Sequence, residues 1–122
     1  MKPKTREWLA RAAEDMAIAD FAWESSFVPS CLFHLQQAIE KVLKAALIES
    51  TGDYPKTHDL PDLVARLGLD LSPEQMKLLR RLSEQYIPTR YADPWIEIPG
   101  DVADNYYRGT KELYSWLLQQ LS

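Results

Sequence analysis

Three groups of residues in this chain have the types and spacing that chemistry requires. The first is Thr57-His58-Asp59-Leu60, an imidazole beside a carboxylate just ahead of a helix start. Histidine moves protons near neutral pH, and its ring can bond a ligand, Asp59 or a backbone group. The plainer role for His58 is to tie its loop to the helix. The second group is Tyr86-Ile87-Pro88-Thr89-Arg90-Tyr91-Ala92-Asp93-Pro94, an arginine between two tyrosines with a carboxylate three residues on. Arginine offers a planar fork for phosphate or carboxylate, and tyrosine a stacking face with a polar tip. The plainer alternative is an Arg90–Asp93 pair that fastens a loop. The third group is Gln36, Gln37, Glu40, Lys41 and Lys44. A solvated face with Glu40 and Lys44 paired at i, i+4 explains the lysines. It explains less well why two glutamines border an apolar arc, since half-buried amides need partners.

Other chemistries find no residues to carry them. The chain has no Gly-rich phosphate loop, no Gly-x-Ser-x-Gly elbow and no paired-Cys or Cys/His metal pattern. No metal and no cofactor is expected. Cys31 is the single cysteine, so no internal disulfide is available, and its place on an apolar face reads as a small buried hydrophobe. The net charge of −4 argues against nucleic-acid binding through global charge, though not against a local basic cleft. Met1 to Arg11 is too polar for a secretory signal, and no apolar run approaches the roughly 20 residues of a membrane span. A cytoplasmic protein without a membrane partner is the expectation.

The elements that must position these groups are helices. Leu32, Leu35, Ile39, Val42 and Ala46 recur at 3, 4, 3 and 4, the period of one helix face, in a run from 30 to 50 without Gly or Pro. Leu43 widens the arc on one side, and Cys31 and Ala38 on the other, as in a helix with neighbours on several sides. An earlier helix spans Thr5 to Trp23 with Leu9, Ala12, Met16, Ala19 and Trp23 on one face. The short Glu24–Ser30 turn makes the two antiparallel. A short third helix carries Leu60, Leu63, Val64 and Leu67, capped by Asp59 or Thr57 and stopped at Gly68. Ser72-Pro73-Glu74-Gln75 is a capping-box start for a fourth, burying Met76, Leu79, Leu82 and Tyr86. Pro88, Pro94 and Pro99 predict a loop over 87–99, and a last helix runs from Asp101 to Leu121. The expected fold is all-α, one domain over 1–122, an up-and-down bundle of four to five helices.

The block Phe33-His34-Leu35-Gln36-Gln37-Ala38-Ile39-Glu40-Lys41-Val42-Leu43-Lys44-Ala45, then His58-Asp59-Leu60, then Tyr86 and Arg90-Tyr91-Ala92-Asp93, resembles the HEPN family (higher eukaryotes and prokaryotes nucleotide-binding domain). The resemblance implies a helical bundle, a homodimer, and a partner nucleotidyltransferase in a toxin–antitoxin-like pair. Many members are metal-independent ribonucleases with an arginine followed at a short interval by a histidine. Here Arg90 is followed by Tyr91, Ala92, Asp93, Pro94, Trp95, Ile96 and Glu97, so that motif is absent. The expectation is a non-catalytic module that binds a nucleotide, RNA or a protein partner. Its ligand-binding residues would be Arg90, Tyr91, Asp93, Tyr86, His58, Lys41 and Gln37. The rival is a ribonuclease toxin with a rearranged site that uses Arg90 and His58.

Overall fold

The computed structural model describes the backbone of residues 1–91 and 99–121 and the side chains of residues 1–84 and 99–121. It has five α-helices: α1 Pro3–Glu24, α2 Val28–Thr51, α3 Leu60–Leu67, α4 Pro73–Tyr91 and α5 Gly100–Leu121. No strand occurs among the described residues.

Each helix end follows from local chemistry. Proline opens α1 and falls in the first turn of α2 and α3, where its missing N–H costs nothing. Between α1 and α2 the Phe27 N–H bonds the Ala22 carbonyl at 2.7 Å and turns the chain back. Gly52 closes α2 at φ 90°, a conformation that side chains disfavour, and its N–H bonds the Ile48 carbonyl. The Lys2 ammonium covers the Ile48 and Glu49 carbonyls at 3.1 and 2.7 Å, placing a cation on that helix's negative end. The Asp59 carboxylate accepts from the Asp62 N–H and caps α3. Ser72 and Gln75 form both bonds of the capping box at 2.9 and 3.1 Å.

Side-chain contacts give the helix directions. Thr5 bonds Glu49 at one end of the α1/α2 pair, and Asp15 meets His34 and Lys41 further along, so the two run antiparallel. Tyr107 and Lys111 of α5 both bond Asp20 of α1, near the start of α2, while Leu117 and Leu121 lie by Val42, Leu43 and Ala46. α5 is therefore parallel to α2. Leu78 of α4 sits against Gly109 of α5, and a Cβ at 109 would lie 3.1 Å from its Cδ2, so the glycine admits this close approach. α4 runs antiparallel to both neighbours, which gives the up-and-down order.

α2 is the centre. Leu32, Leu35, Ile39, Val42 and Leu43 are buried against Ala12 and Ala19 of α1, Leu60 and Leu63 of α3, Leu79 and Leu82 of α4, and Leu113 and Leu117 of α5. Each such leucine, isoleucine or valine contributes about 1.5–3 kcal/mol by leaving water. Met76, Val102 and Leu121 pack only partly buried at its margin, and Cys31 is buried, which pushes its thiol up to about 11.

Two expectations need correction. Pro88 does not end the fourth helix, because α4 continues through it to Tyr91. An internal proline deletes one N–H bond and crowds one carbonyl, but the bonds on either side can persist. Tyr86, Arg90 and Tyr91 therefore stand on a helix rather than a loop, while Asp93 lies outside the described residues. Nor is the Gln36/Glu40/Lys44 edge of α2 a solvated face. These residues are 0%, 5% and 4% exposed, and Lys44 bonds Glu40 at 2.9 Å inside the bundle. α2 has so many neighbours that even the edge of its polar arc is covered.

That buried pair generates a stability prediction. Lys44→Met leaves the Glu40 carboxylate without its cation and should cost about 3–5 kcal/mol in urea unfolding, whereas adding Glu40→Leu should recover most of the loss.

A second polar cluster joins α1 to α5. The Tyr107 hydroxyl donates to Asp20 Oδ1 at 2.6 Å, Lys111 Nζ reaches the same oxygen at 2.7 Å, and Trp23 stacks on Tyr107 with centroids 4.7 Å apart. Burial works to raise the Asp20 carboxyl pKa, but the bonds from Lys111 and Tyr107 together outweigh it and hold the carboxyl below its ordinary value. Burial and the bond to that carboxylate push the Tyr107 hydroxyl well up. A folded pKa depressed below the unfolded one stabilises fully above about pH 3.9, and that stability is lost as pH falls through the lower folded value. Asp20→Asn should therefore lower the melting temperature at neutral pH and flatten the loss of stability in strong acid, as read by circular dichroism.

Candidate functional site

The functional candidate is built on the polar arc of α2, where residues 36, 40 and 44 follow one another turn by turn. Glu40 is the hub. Its carboxylate accepts from Gln36 Nε2 at 3.1 Å, from Lys44 Nζ at 2.9 Å and from His58 Nδ1 at 2.9 and 3.1 Å. A carboxylate only accepts, so Gln36 must turn its NH2 toward Glu40. Its oxygen then faces away and receives Gln37 Nε2 at 2.9 Å. By the same reasoning His58 carries a hydrogen on Nδ1. The Glu40 side chain is 6% exposed and the His58 side chain 57%. A carboxylate inside the bundle thus holds an imidazole at its surface.

The loop that brings His58 to α2 is fixed from both sides. Thr57 Oγ1 accepts from the Asp59 N–H, and the Leu60 N–H donates to Ser83 Oγ of α4 at 3.3 Å. Tyr54, earlier in that loop, meets the edge of Trp8 with centroids 4.7 Å apart. Lys44 Nζ lies 5.4 Å and Lys4 Nζ 6.0 Å from the Tyr54 ring centre, so two cations share one aromatic ring. Buried Lys44 therefore has one anion and one aromatic ring as neighbours, which compensates a cation that would otherwise be costly in the interior.

The other border of the same arc carries a separate cluster. Asp15 of α1 is buried, with one carboxylate oxygen on His34 Nδ1 at 2.8 Å and the other on Lys41 Nζ. His34 and Lys41 are each 24% exposed. Their bonds cross from α1 to α2 and fix the rotation of one helix against the other.

The structure therefore brings some of the expected site residues together and separates others. His58 and Gln37 belong to one bonded chain through Gln36 and Glu40. Lys41, one residue from Glu40, turns the other way to Asp15. The side chains of Tyr86, Arg90 and Tyr91, and all of Asp93, lie outside the described residues, though the first three share the α4 backbone that continues past Ser83. Glu40, Asp15, His34, Tyr54 and Trp8 were not expected as site residues. The signal for Glu40 was present as a polar residue every fourth position, Gln36-Glu40-Lys44, between Leu35, Leu43 and Leu47. Nothing local to α1 marks Asp15, whose partners lie 19 and 26 residues away.

A cleft of about 680 Å³ lies elsewhere, between α4 and α5, bordered by Lys77, Arg81, Asn105, Tyr106 and Glu112. It borders α4 where α5 packs, whereas His58 sits where α3 begins. Its bordering charges are mixed. The hydrogen-bonded His58–Glu40 array is the better candidate, because preorganised polar groups rather than volume decide recognition.

No helix among the described residues is long and apolar enough to cross a membrane. Residues 5–121 match the family model of the HEPN domain. The crystal structure of TT1696 from Thermus thermophilus superimposes with a TM-score of 0.81 over 97% of this chain and 98% of that one, at 23% identity. ST0689, described as an archaeal HEPN homologue, covers all of both chains with a TM-score of 0.72 at 24% identity. No curated protein matches the sequence. The likeness to the two solved structures is one of fold, and the match of the family model over nearly the whole chain makes this protein a member of the HEPN domain family.

Proposed function

We propose that this chain is a non-catalytic nucleotide- or RNA-binding module, a homodimer that works beside a small nucleotidyltransferase, with its ligand on the polar arc of α2 at His58. The observation that carries the reading is the surface imidazole fastened through Nδ1 to buried Glu40. Such a ring is aimed before any ligand arrives, so little of the binding free energy goes into ordering it. Gln37 joins the same array through Gln36, and the half-buried Tyr54, beside Lys44, adds an aromatic ring.

The path of α4 supports a role for the Tyr86–Tyr91 turn. Ser83 lies beside the start of α3, and Arg90 follows seven residues later, about 10 Å further along the helix at 1.5 Å per residue. Because α4 runs antiparallel to α2, this advance carries the Arg90 backbone toward the α2 level of Gln36 and Gln37. Arg90 is the candidate phosphate ligand by residue type, with Tyr86, Tyr91 and Asp93 as further candidates from the sequence.

A second reading is favoured by the same pair. A carboxylate behind an imidazole is the arrangement of a general base. Here the ring would take the proton of a ribose 2′-hydroxyl, whose oxygen would bond the neighbouring phosphorus to give a 2′,3′-cyclic phosphate, while the P–O5′ bond breaks and the 5′-oxygen takes a proton from water. This is the metal-independent ribonuclease.

Titration calorimetry of the purified protein with adenosine and guanosine monophosphates and a short single-stranded RNA tests both. Binding that weakens about tenfold or more in His58→Ala, or about 1.4 kcal/mol, supports the module. Wild-type protein that binds none of them, or a variant that binds as well, overturns it. RNA cleaved in the presence of a chelator, and left intact by His58→Ala, replaces the first reading with the second.

A further inference from the structure

The cleft between α4 and α5 has a make-up that neither the His58 site nor the core explains. Its floor is apolar, with Tyr106 and Leu113 buried and Leu78 and Val102 half-buried. Gly109 offers no side chain there, and Leu78 lies across it. The rim is charged, and its charges are sorted. Because Leu78 meets Gly109 and the two helices are antiparallel, Arg81 stands level with Asn105 and Tyr106, and Glu74 with Glu112 and Leu113. One end is therefore basic, with Lys77 a turn behind Arg81, and the other is acidic from both helices. Seven residues separate Arg81 from Glu74, and seven separate Asn105 from Glu112. At 1.5 Å per residue the two ends are about 10 Å apart.

Glu74, Lys77, Arg81 and Glu112 are all exposed, and among the described residues none of them forms an ion pair. Lys77 and Arg81 repel one another at i, i+4, and Glu74 and Glu112 are like charges at one level of the groove. Both repulsions would be relieved by a ligand carrying an anion at one end and a cation at the other. Amide groups stand between and beside these poles. Gln75 gives its oxygen to the Ser72 N–H at 2.9 Å, which leaves its NH2 group to donate, and Asn105 is exposed.

We propose that this cleft binds a short peptide of about three residues with both termini free. Its carboxylate would lie on the planar fork of Arg81 and its ammonium between Glu74 and Glu112. An extended chain advances about 3.3–3.6 Å per residue, so roughly three residues span the two poles. An apolar central side chain would rest on Leu78 in the space that Gly109 leaves, and Gln75 and Asn105 match the polar groups of a peptide backbone. The volume of about 680 Å³ is that of a small-ligand site. A ligand of one charge, such as a nucleotide, would satisfy the basic end and leave the acidic end opposed to it. The proposal goes beyond the His58 reading and does not rest on it.

Amide-resolved NMR titration of the full chain with the tripeptide alanyl-leucyl-alanine tests it. The free peptide should give saturable shifts at Leu78 and Gly109. Acetylating its amino terminus, or amidating its carboxyl terminus, should each weaken binding about threefold, as exposed ion pairs do. Arg81→Gln should bind the free and amidated peptides alike and still disfavour the acetylated one. Glu74→Gln with Glu112→Gln should do the reverse. All three positions are exposed, so the circular dichroism spectra should not change. No saturable shifts, shifts centred around His58, caps without effect, or variants that keep the wild-type preference each overturn the proposal. His58→Ala should bind the peptide as wild-type protein does, so a failure of nucleotide binding leaves this result standing.

Discussion

The constraint on which most of this structure depends is that a carboxylate taken out of water must have its lone pairs filled. Glu40 sits on the central helix with almost no exposure and accepts from three side chains. Each donor comes with a structural consequence. Gln36 and Lys44 are one turn to either side, so the carboxylate makes the polar edge of α2 a continuous bonded strip. His58 lies eighteen residues on, so the same carboxylate also recruits the loop before α3. Removing the cation would leave a charge whose solvation the interior cannot replace. The strip is therefore a part of the core that happens to be polar, and the loop and imidazole are attached to it.

Asp15 applies the same rule on the other border, and Asp20, only half-buried, joins two helices in the same way nearer the end of α1. Both are carboxylates on one helix whose partners come from another, α2 in the first case and α5 in the second. Apolar contacts set how closely helices pack but are tolerant of a helix turning about its own axis. A carboxylate that must meet two named donors is not. The alanines between α1 and α2 allow the close approach, and Asp15 decides the rotation. That rotation also settles which residues of α1 are left facing water, and so brings Phe21 to the outside.

The order and boundaries of the helices were legible because they rest on local signals. The 3-4 spacing of Leu32 to Ala46, the Ser72/Gln75 box and the stops at Gly52 and Gly68 each act within a turn or two. Pro88 shows where local reasoning fails, since one proline does not decide a helix end when the flanking turns can hold their bonds. The site was legible in part. His58 and Gln37, singled out by residue type and position, stand in the bonded array around Glu40, but Glu40 was set aside as half of a surface ion pair. Sequence shows the i, i+4 spacing of Glu40 and Lys44 but not the walls around them. Burial is a property of what packs against a residue, and here the wall is assembled from the Tyr54–His58 loop and its neighbours.

Fold alone does not separate a binding module from a nuclease in this protein, because both readings use the same imidazole. What separates them chemically is what a second group does while the ring holds its proton. A binding site asks only that charge and stacking match the ligand. Cleavage asks in addition for a cation placed where negative charge grows on the phosphate, and the timing of that charge makes its position exacting. Lys41 and Lys44 are the cations nearest His58 on α2, and both are already committed, one to Asp15 and the other to Glu40. A lysine that neutralises a protein carboxylate has little field left for a developing anion. Cleavage therefore asks for a cation other than these two lysines, while recognition asks only for the imidazole that Glu40 already holds.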